Sequence, residues 1–239
     1  MGQAARTNVS AASFFHQGGF TLMEILVALF IFALITATLF GSFDGVFSRS
    51  AELDEELSRH EMGVMALSHM QRELREIFVH LPPAYQKPET ESTESPYRIL
   101  GEVADIGGAT FGRLRFTSLT QLPIDTQTIR PPKAVIYYVD QADDDRLTLK
   151  RGLRANDDED DPFEPQADDA TLCEDLLELT FSYMDAEGES QEQWDSESGD
   201  QAYATPRAIK IDLVLGTEAR ATHLETTVAL PVCRNPIES

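Results

Sequence analysis

The chain is short of cysteine, of tryptophan and of positive charge. Two cysteines in 239 residues allow at most one internal disulfide, which excludes a disulfide-built scaffold. The 19 basic side chains are outnumbered by 41 acidic ones, and the formal charge of −22 repels a phosphate backbone, which excludes nucleic acid as a partner. No catalytic constellation is present either. There is no Ser/His/Asp or Cys/His set and no phosphate loop, and Gly107-Gly108 with Gly112 lacks the dinucleotide-binding spacing. His60-Glu61 is half of a zinc-protease helix motif, but Val64 stands where the second histidine belongs. No catalytic, cofactor or metal residue is assigned, and the chain is not read as an enzyme.

The stretch from Met1 to Gly19 lacks the apolar core and small-residue cut site of a secretory signal; it carries Arg6 and no acid. That charge favours a cytoplasmic N-terminus. The apolar run comes afterwards. Ile25 to Phe43 is uncharged, and with Phe20 to Met23 it reaches the roughly 20 residues needed to cross a hydrocarbon core. Glu24 sits in its first turn, where a carboxylate near the bilayer centre costs on the order of 2.5 to 3.5 kcal/mol. A cut after Gly19 creates an α-amino group on Phe20, one turn from Glu24 and on the same face. The other reading is an uncleaved anchor whose Glu24 snorkels to the interface.

Beyond the membrane segment the helical pattern continues. Leu53, Leu57, Val64, Leu67, Met70, Leu74, Ile77 and Leu81 recur at helical spacing, with charged residues, Glu73 and Arg59 among them, on the other faces. Met62, Met65 and Met70 read as core or groove-filling side chains, and His60 and His69 as surface residues. Gly41, Gly45 and Gly63 are weak points, with a bend expected near Gly41 to Gly45. The spacing predicts one helix from Thr21 to Leu81, stopped by Pro82 and Pro83.

Strands follow. Leu114–Thr117, Ala134–Val139 and Leu147–Arg151 come first, with a hairpin turn at Asp143 to Asp145. Three more alternate cleanly: Leu177/Leu179/Phe181/Tyr183, Ile209/Ile211/Leu213/Leu215 and Leu224/Thr226/Val228/Leu230. In a simple meander of these three, Cys173 and Cys233 fall at opposite ends and stay unpaired. The acidic tract from Asn156 to Asp169 reads as a solvated loop or, less directly, a calcium site at Asp157 to Asp161. Trp194 is either a core anchor or an exposed docking residue. The fold class is α+β, a long N-terminal helix, half membrane and half amphipathic, on antiparallel sheet. Its expected boundaries are a leader at 1–19, a membrane and assembly helix at 20–43, and a domain at 44–239, with helix at 44–81 and mainly strand at 97–239.

The run Gly18-Gly19-Phe20-Thr21-Leu22-Met23-Glu24 ahead of an apolar helix resembles the type IV prepilin and pseudopilin signature. That resemblance implies a pilin-like fold, cleavage between Gly19 and Phe20 by a prepilin peptidase, N-methylation of Phe20, and helix-to-helix assembly through Glu24. Further on, "GRLRFTSL", "AVIYYVD", "LTLKRGL", "LLELTFSYMDAEGE", Trp194 in "QWDS" and "PRAIKIDLVL" are similar in order to the J-type minor pseudopilins of type II secretion (general secretion pathway protein J). The acidic tract departs from that pattern. The resemblance implies a minor pseudopilin that helps nucleate or cap the pseudopilus driving protein export. It would be single-pass in the bacterial inner membrane with a periplasmic C-terminal domain. Implied partners are I-type and K-type minor pseudopilins, with an H type also considered, the major pseudopilin, the peptidase and the inner-membrane platform; no cofactor is implied. Two other functions are a minor pilin of a type IV pilus or DNA-uptake system, and a membrane-tethered calcium or ligand-binding module.

Overall fold

The computed structural model describes residues 20–88, 95, 97–119, 133–142, 145–155 and 161–237, with side chains other than those of 42–52. The chain divides into two compact units, Met1–Leu53 and Asp54–Ser239. A single helix, α1 (Leu22–Arg75), runs through both. In the first unit it is apolar over Leu22–Gly41 and exposed along that length.

The second unit is α+β and pilin-like. Its strands are β1 (Leu100–Ile106), β2 (Ala109–Thr117), β3 (Ala134–Gln141), β4 (Leu147–Arg154), β5 (Ala170–Cys173), β6 (Leu176–Met184), β7 (Ser190–Gln191), β8 (Trp194–Asp195), β9 (Ala208–Thr217) and β10 (Arg220–Ala229). They form two antiparallel sheets, ordered β5-β4-β3-β2-β1-β8 and β10-β9-β6-β7. One core joins them to the helix: Ala66, Leu67, Met70 and Leu74 of α1 pack with Phe116 and Tyr137 of the larger sheet and Phe181, Ile211 and Leu213 of the smaller. Burying a side chain such as Leu74 contributes roughly 1.5 to 3 kcal/mol. Gly63 is also a place of close approach, since a Cβ there would lie 3.0 Å from Leu215 Cδ1 and overlap Leu224.

α1 ends at Arg75, short of the expected Leu81. The cause lies in β2 rather than in the prolines. The Ser118 hydroxyl donates to Glu73 O (3.1 Å), Phe78 N to Thr117 O (2.8 Å) and Leu119 N to Glu76 O (2.8 Å), so strand-like pairing takes over where the helical carbonyls would be left open. The peptide bond between Pro82 and Pro83 is cis.

Of the six predicted strands all are present. β9 buries Ile209, Ile211, Leu213 and Leu215 completely, as its alternation requires. In β6, however, an irregularity between Leu176 and Glu178 gives Leu176 the buried place and turns Leu177 outward. β6, β9 and β10 adjoin in that order; Cys173 lies buried in β5 of the other sheet, and both cysteines are free.

Trp194 is a core anchor. It is buried beside Tyr183, and its indole N–H donates to Ala204 O at 3.1 Å. The acidic tract is not solvated throughout: Phe163 is buried against Leu100, Ile136 and Tyr138, and Asp169 is held in a buried two-armed pair with Arg154 at 2.7 Å. Asp157 to Asp160 lie outside the described residues. Finally, the buried Arg234 donates to Tyr203 O (2.5 Å), Ser196 O (2.5 Å), His80 O (3.3 Å) and Glu197 Oε1 (3.0 Å), under the ring of Tyr85 at 3.5 Å.

Candidate assembly site

At the head of α1 the Thr21 hydroxyl accepts from Glu24 N at 3.3 Å, while the Glu24 carboxylate accepts from Thr21 N at 3.1 Å and from the Thr21 hydroxyl at 3.2 Å. This is a reciprocal capping box, and it satisfies amide donors that the first turn otherwise leaves open. The acid also sits at the positive end of the helix dipole. Both bonds to the carboxylate fall on Oε2; Oε1 takes none among the described residues. The motif Thr21-x-x-Glu24 carries this cap in the sequence, although sequence reasoning gave Glu24 only the Phe20 amine as a partner. Phe20 itself is exposed, and Gly19 lies outside the described residues.

From Leu22 to Gly41 the helix offers 20 residues, about 30 Å at roughly 1.5 Å per residue, long and apolar enough to cross a membrane. Its hydroxyls are satisfied within the helix: Thr36 donates to Phe32 O at 2.7 Å and Thr38 to Ile35 O at 2.8 Å.

In the second unit the predicted stripe on α1 splits. Leu67, Met70 and Leu74 face the core, whereas Leu57 (56% exposed), Val64 and Met65 (72% exposed) face outward. Met65 is thus not a core residue. His60 is exposed as expected, but His69 is half buried, with Nδ1 at 3.3 Å from the Tyr137 hydroxyl and 3.6 Å from Glu73. Burial holds its pKa below the ordinary histidine value, against the pull of Glu73. Arg59, assigned to an outer face, is buried and donates to Glu55 at 3.1 Å.

Glu73 was also assigned to an outer face and is instead 1% exposed at its side chain. It accepts from both Arg151 Nε (3.2 Å) and Nη2 (2.5 Å) and from the Tyr137 hydroxyl. Burial and the adjoining carboxylate push the Tyr137 hydroxyl well above the ordinary tyrosine range. The charge pins the helix to the sheet. Among the described residues no group of three or more His, Cys, Asp or Glu is placed to hold a metal ion.

A capped apolar helix able to act as a single-pass membrane anchor, together with a helix-backed antiparallel domain, defines a pilin-like assembly subunit. Two family models match the chain: the prokaryotic N-terminal methylation motif over residues 15–40, and type II secretion system (T2SS), protein J, over residues 41–226. The chain belongs to the type II secretion protein J family and is a minor pseudopilin of that system. The match favours secretion over the pilus and calcium-module readings. No curated protein matches the sequence.

Proposed function

We propose that the chain is cut between Gly19 and Phe20 by a prepilin peptidase, methylated on the new Phe20 amine, and drawn through Glu24 into a pseudopilus that it helps nucleate or cap. The Thr21–Glu24 cap at the start of an apolar helix is the observation that supports this most directly. Cleavage would bring a cation within one turn of a carboxylate whose Oε1 is open. An unpaired carboxylate in lipid costs on the order of 2.5 to 3.5 kcal/mol, so the amine of this chain or of a neighbour offsets that cost. Residues 20–43 would lie in the inner membrane and 44–239 in the periplasm. The partners are other pseudopilins, specifically the I and K types at the tip and, as a further candidate, the H type, with the major pseudopilin and the inner-membrane platform. The role is structural, not catalytic.

Mass spectrometry and N-terminal sequencing of the membrane-extracted protein test the first step, with N-methyl-Phe20 expected as the first residue. A mature chain still carrying Met1 to Gly19 refutes it. Glu24→Leu and Glu24→Gln separate charge from capping, because glutamine can still accept from Thr21 N–H. Both variants should enter the membrane and fail to support secretion. Normal secretion by Glu24→Gln would show that the charge is not what assembly uses.

A further inference from the structure

The six-stranded sheet is split along part of its length. β2 pairs with β1 from Ala109 to Arg115, and β3 pairs with β4 from Ala134 to Gln141, yet the β2–β3 ladder runs only from Thr117↔Ala134 to Leu114↔Tyr137. Past that point no ladder pair joins the N-terminal half of β2 to the C-terminal end of β3.

The registers say which backbone groups are left. Ile106 and Ala109 close a two-residue turn at Gly107-Gly108, both at positive φ, so they form a hydrogen-bonded pair and every second pair after them does too. Thr110 and Gly112 accordingly turn their N–H and C=O away from β1. On the other side Ala142 N donates to Arg146 O, which assigns Asp140 and Tyr138 to β4 and turns Val139 and Gln141 toward β2. Thr110 and Gly112 thus oppose Gln141 and Val139 across an open seam.

The seam opens because β2 leans on the other sheet. A Cβ at Gly112 would lie 2.8 Å from Phe181 Cδ2 and 3.1 Å from Phe181 N of β6, a closeness only glycine allows, while β3 follows β4. The result is a groove of about 300 Å³ whose lining includes Ala104, Phe111, Val139 and Phe163. Val139 and Gly112 are buried, and backbone groups removed from water call for partners. Arg113, the cation at the groove, is bound to Glu102 at 2.6 Å and lies over the Phe163 ring. Asp140 lines the groove, while Asp145 accepts from the lining Gln141 at 3.2 Å and Asp105 from the Thr110 hydroxyl at 2.7 Å; among the described residues none of the three has an ion-pair partner, so the charge left beside the groove is negative.

We infer that this cleft is a docking site for an extended basic segment of another protein, taken up as an added strand of about four residues along the free edges of β2 and β3. Its backbone meets Thr110, Gly112, Val139 and Gln141, its small or apolar side chains face Phe111 and Phe163, and a lysine or arginine meets the aspartate rim.

The probe is a fluorescein-labelled Lys-Val-Thr-Val-Lys peptide added to the full chain in detergent micelles and followed by anisotropy. Binding should slow hydrogen exchange at 110, 112, 139 and 141 and leave 114–117 unchanged. N-methylation of either alternate set of peptide amides should weaken binding about tenfold or more, because one set faces β2 and the other faces β3. Ala104→Trp, which fills the groove, should weaken it similarly, and Asp105→Asn with Asp140→Asn should weaken the lysine peptide but not its glutamine analogue. No saturable binding, or undiminished binding by either N-methylated register, overturns the inference. Protection of the same amides that rises with protein concentration without peptide assigns the cleft to a second copy and also overturns it.

Discussion

Arg151 of β4 grips Glu73 of α1 with two nitrogens, Nη2 at 2.5 Å and Nε at 3.2 Å, where the carboxylate is nearly closed to water. The pair joins residues 78 positions apart and fixes the helix against the larger sheet. Removing one partner leaves a buried charge without compensation. Arg151→Met should destabilise the chain by about 3 kcal/mol or more in urea unfolding of the micelle-bound protein. Adding Glu73→Leu should recover part of that loss, since the orphaned charge disappears. A double variant weaker than the sum of both singles would contradict this account.

Acid should loosen the region around Asp169. Burial alone would raise its pKa, but the two bonds from Arg154, one from the Tyr138 hydroxyl and one from Gln166 N–H outweigh burial and hold the carboxyl at about 2, below its ordinary 3.8. A depressed pKa in the folded state gives stability that is complete above the unfolded value and is lost as the pH falls through the folded one. The contribution is about 2 kcal/mol, present above roughly pH 4 and gone near pH 2. In Asp169→Asn the slope of stability against pH in that window should flatten; an unchanged slope would assign acid sensitivity elsewhere.

Two glycines should respond differently to alanine. At Gly101 the new methyl would overlap the ring and hydroxyl of the fully buried Tyr183, which cannot retreat, so Gly101→Ala should cost on the order of 2 to 3 kcal/mol. At Gly63 it would meet the ends of Leu224 and Leu215, which can swing, while the helix gains about 1 kcal/mol. Gly63→Ala should be close to neutral and Gly63→Leu strongly destabilising. Thermal unfolding of the three variants checks the ranking.

The two thiols should react at different rates. Cys173 is 1% exposed and burial pushes its thiol up to about 12, whereas Cys233 is partly exposed. Iodoacetamide at pH 8 should label Cys233 alone in the native chain, with Cys173 following only in denaturant. Equal labelling of both in the native state would contradict the burial of β5.

What could be read in advance was whatever repeats at short range. β9 announces its buried face through Ile209, Ile211, Leu213 and Leu215 because a one-sided sheet imposes a period of two. Phe20 to Gly41 announces itself by composition. Thr21-x-x-Glu24 carries its cap in the sequence too, yet that cap was missed because Glu24 was read only as a partner for the Phe20 amine. The end of α1 was not legible, because it depends on Thr117 and Ser118, some forty residues away. Glu73 was hidden for a related reason: a lone acid on a helix defaults to water unless its partner is known, and nothing local marks Arg151, in step with Leu147 and Leu149 on one face of its strand, as that partner. Leu177 misled because an irregularity in pairing changes the face without changing the pattern. The split between β2 and β3 follows from packing on β6, which no local pattern records.

The position of Arg234 sets an order of events for the folding chain. Its guanidinium ties together carbonyls of His80, Ser196 and Tyr203 beneath Tyr85, segments that are synthesised before it. Made N-terminus first, the domain cannot fasten these three segments to one another until residue 234 has left the ribosome. A chain truncated before that point lacks the clasp that closes its own fold.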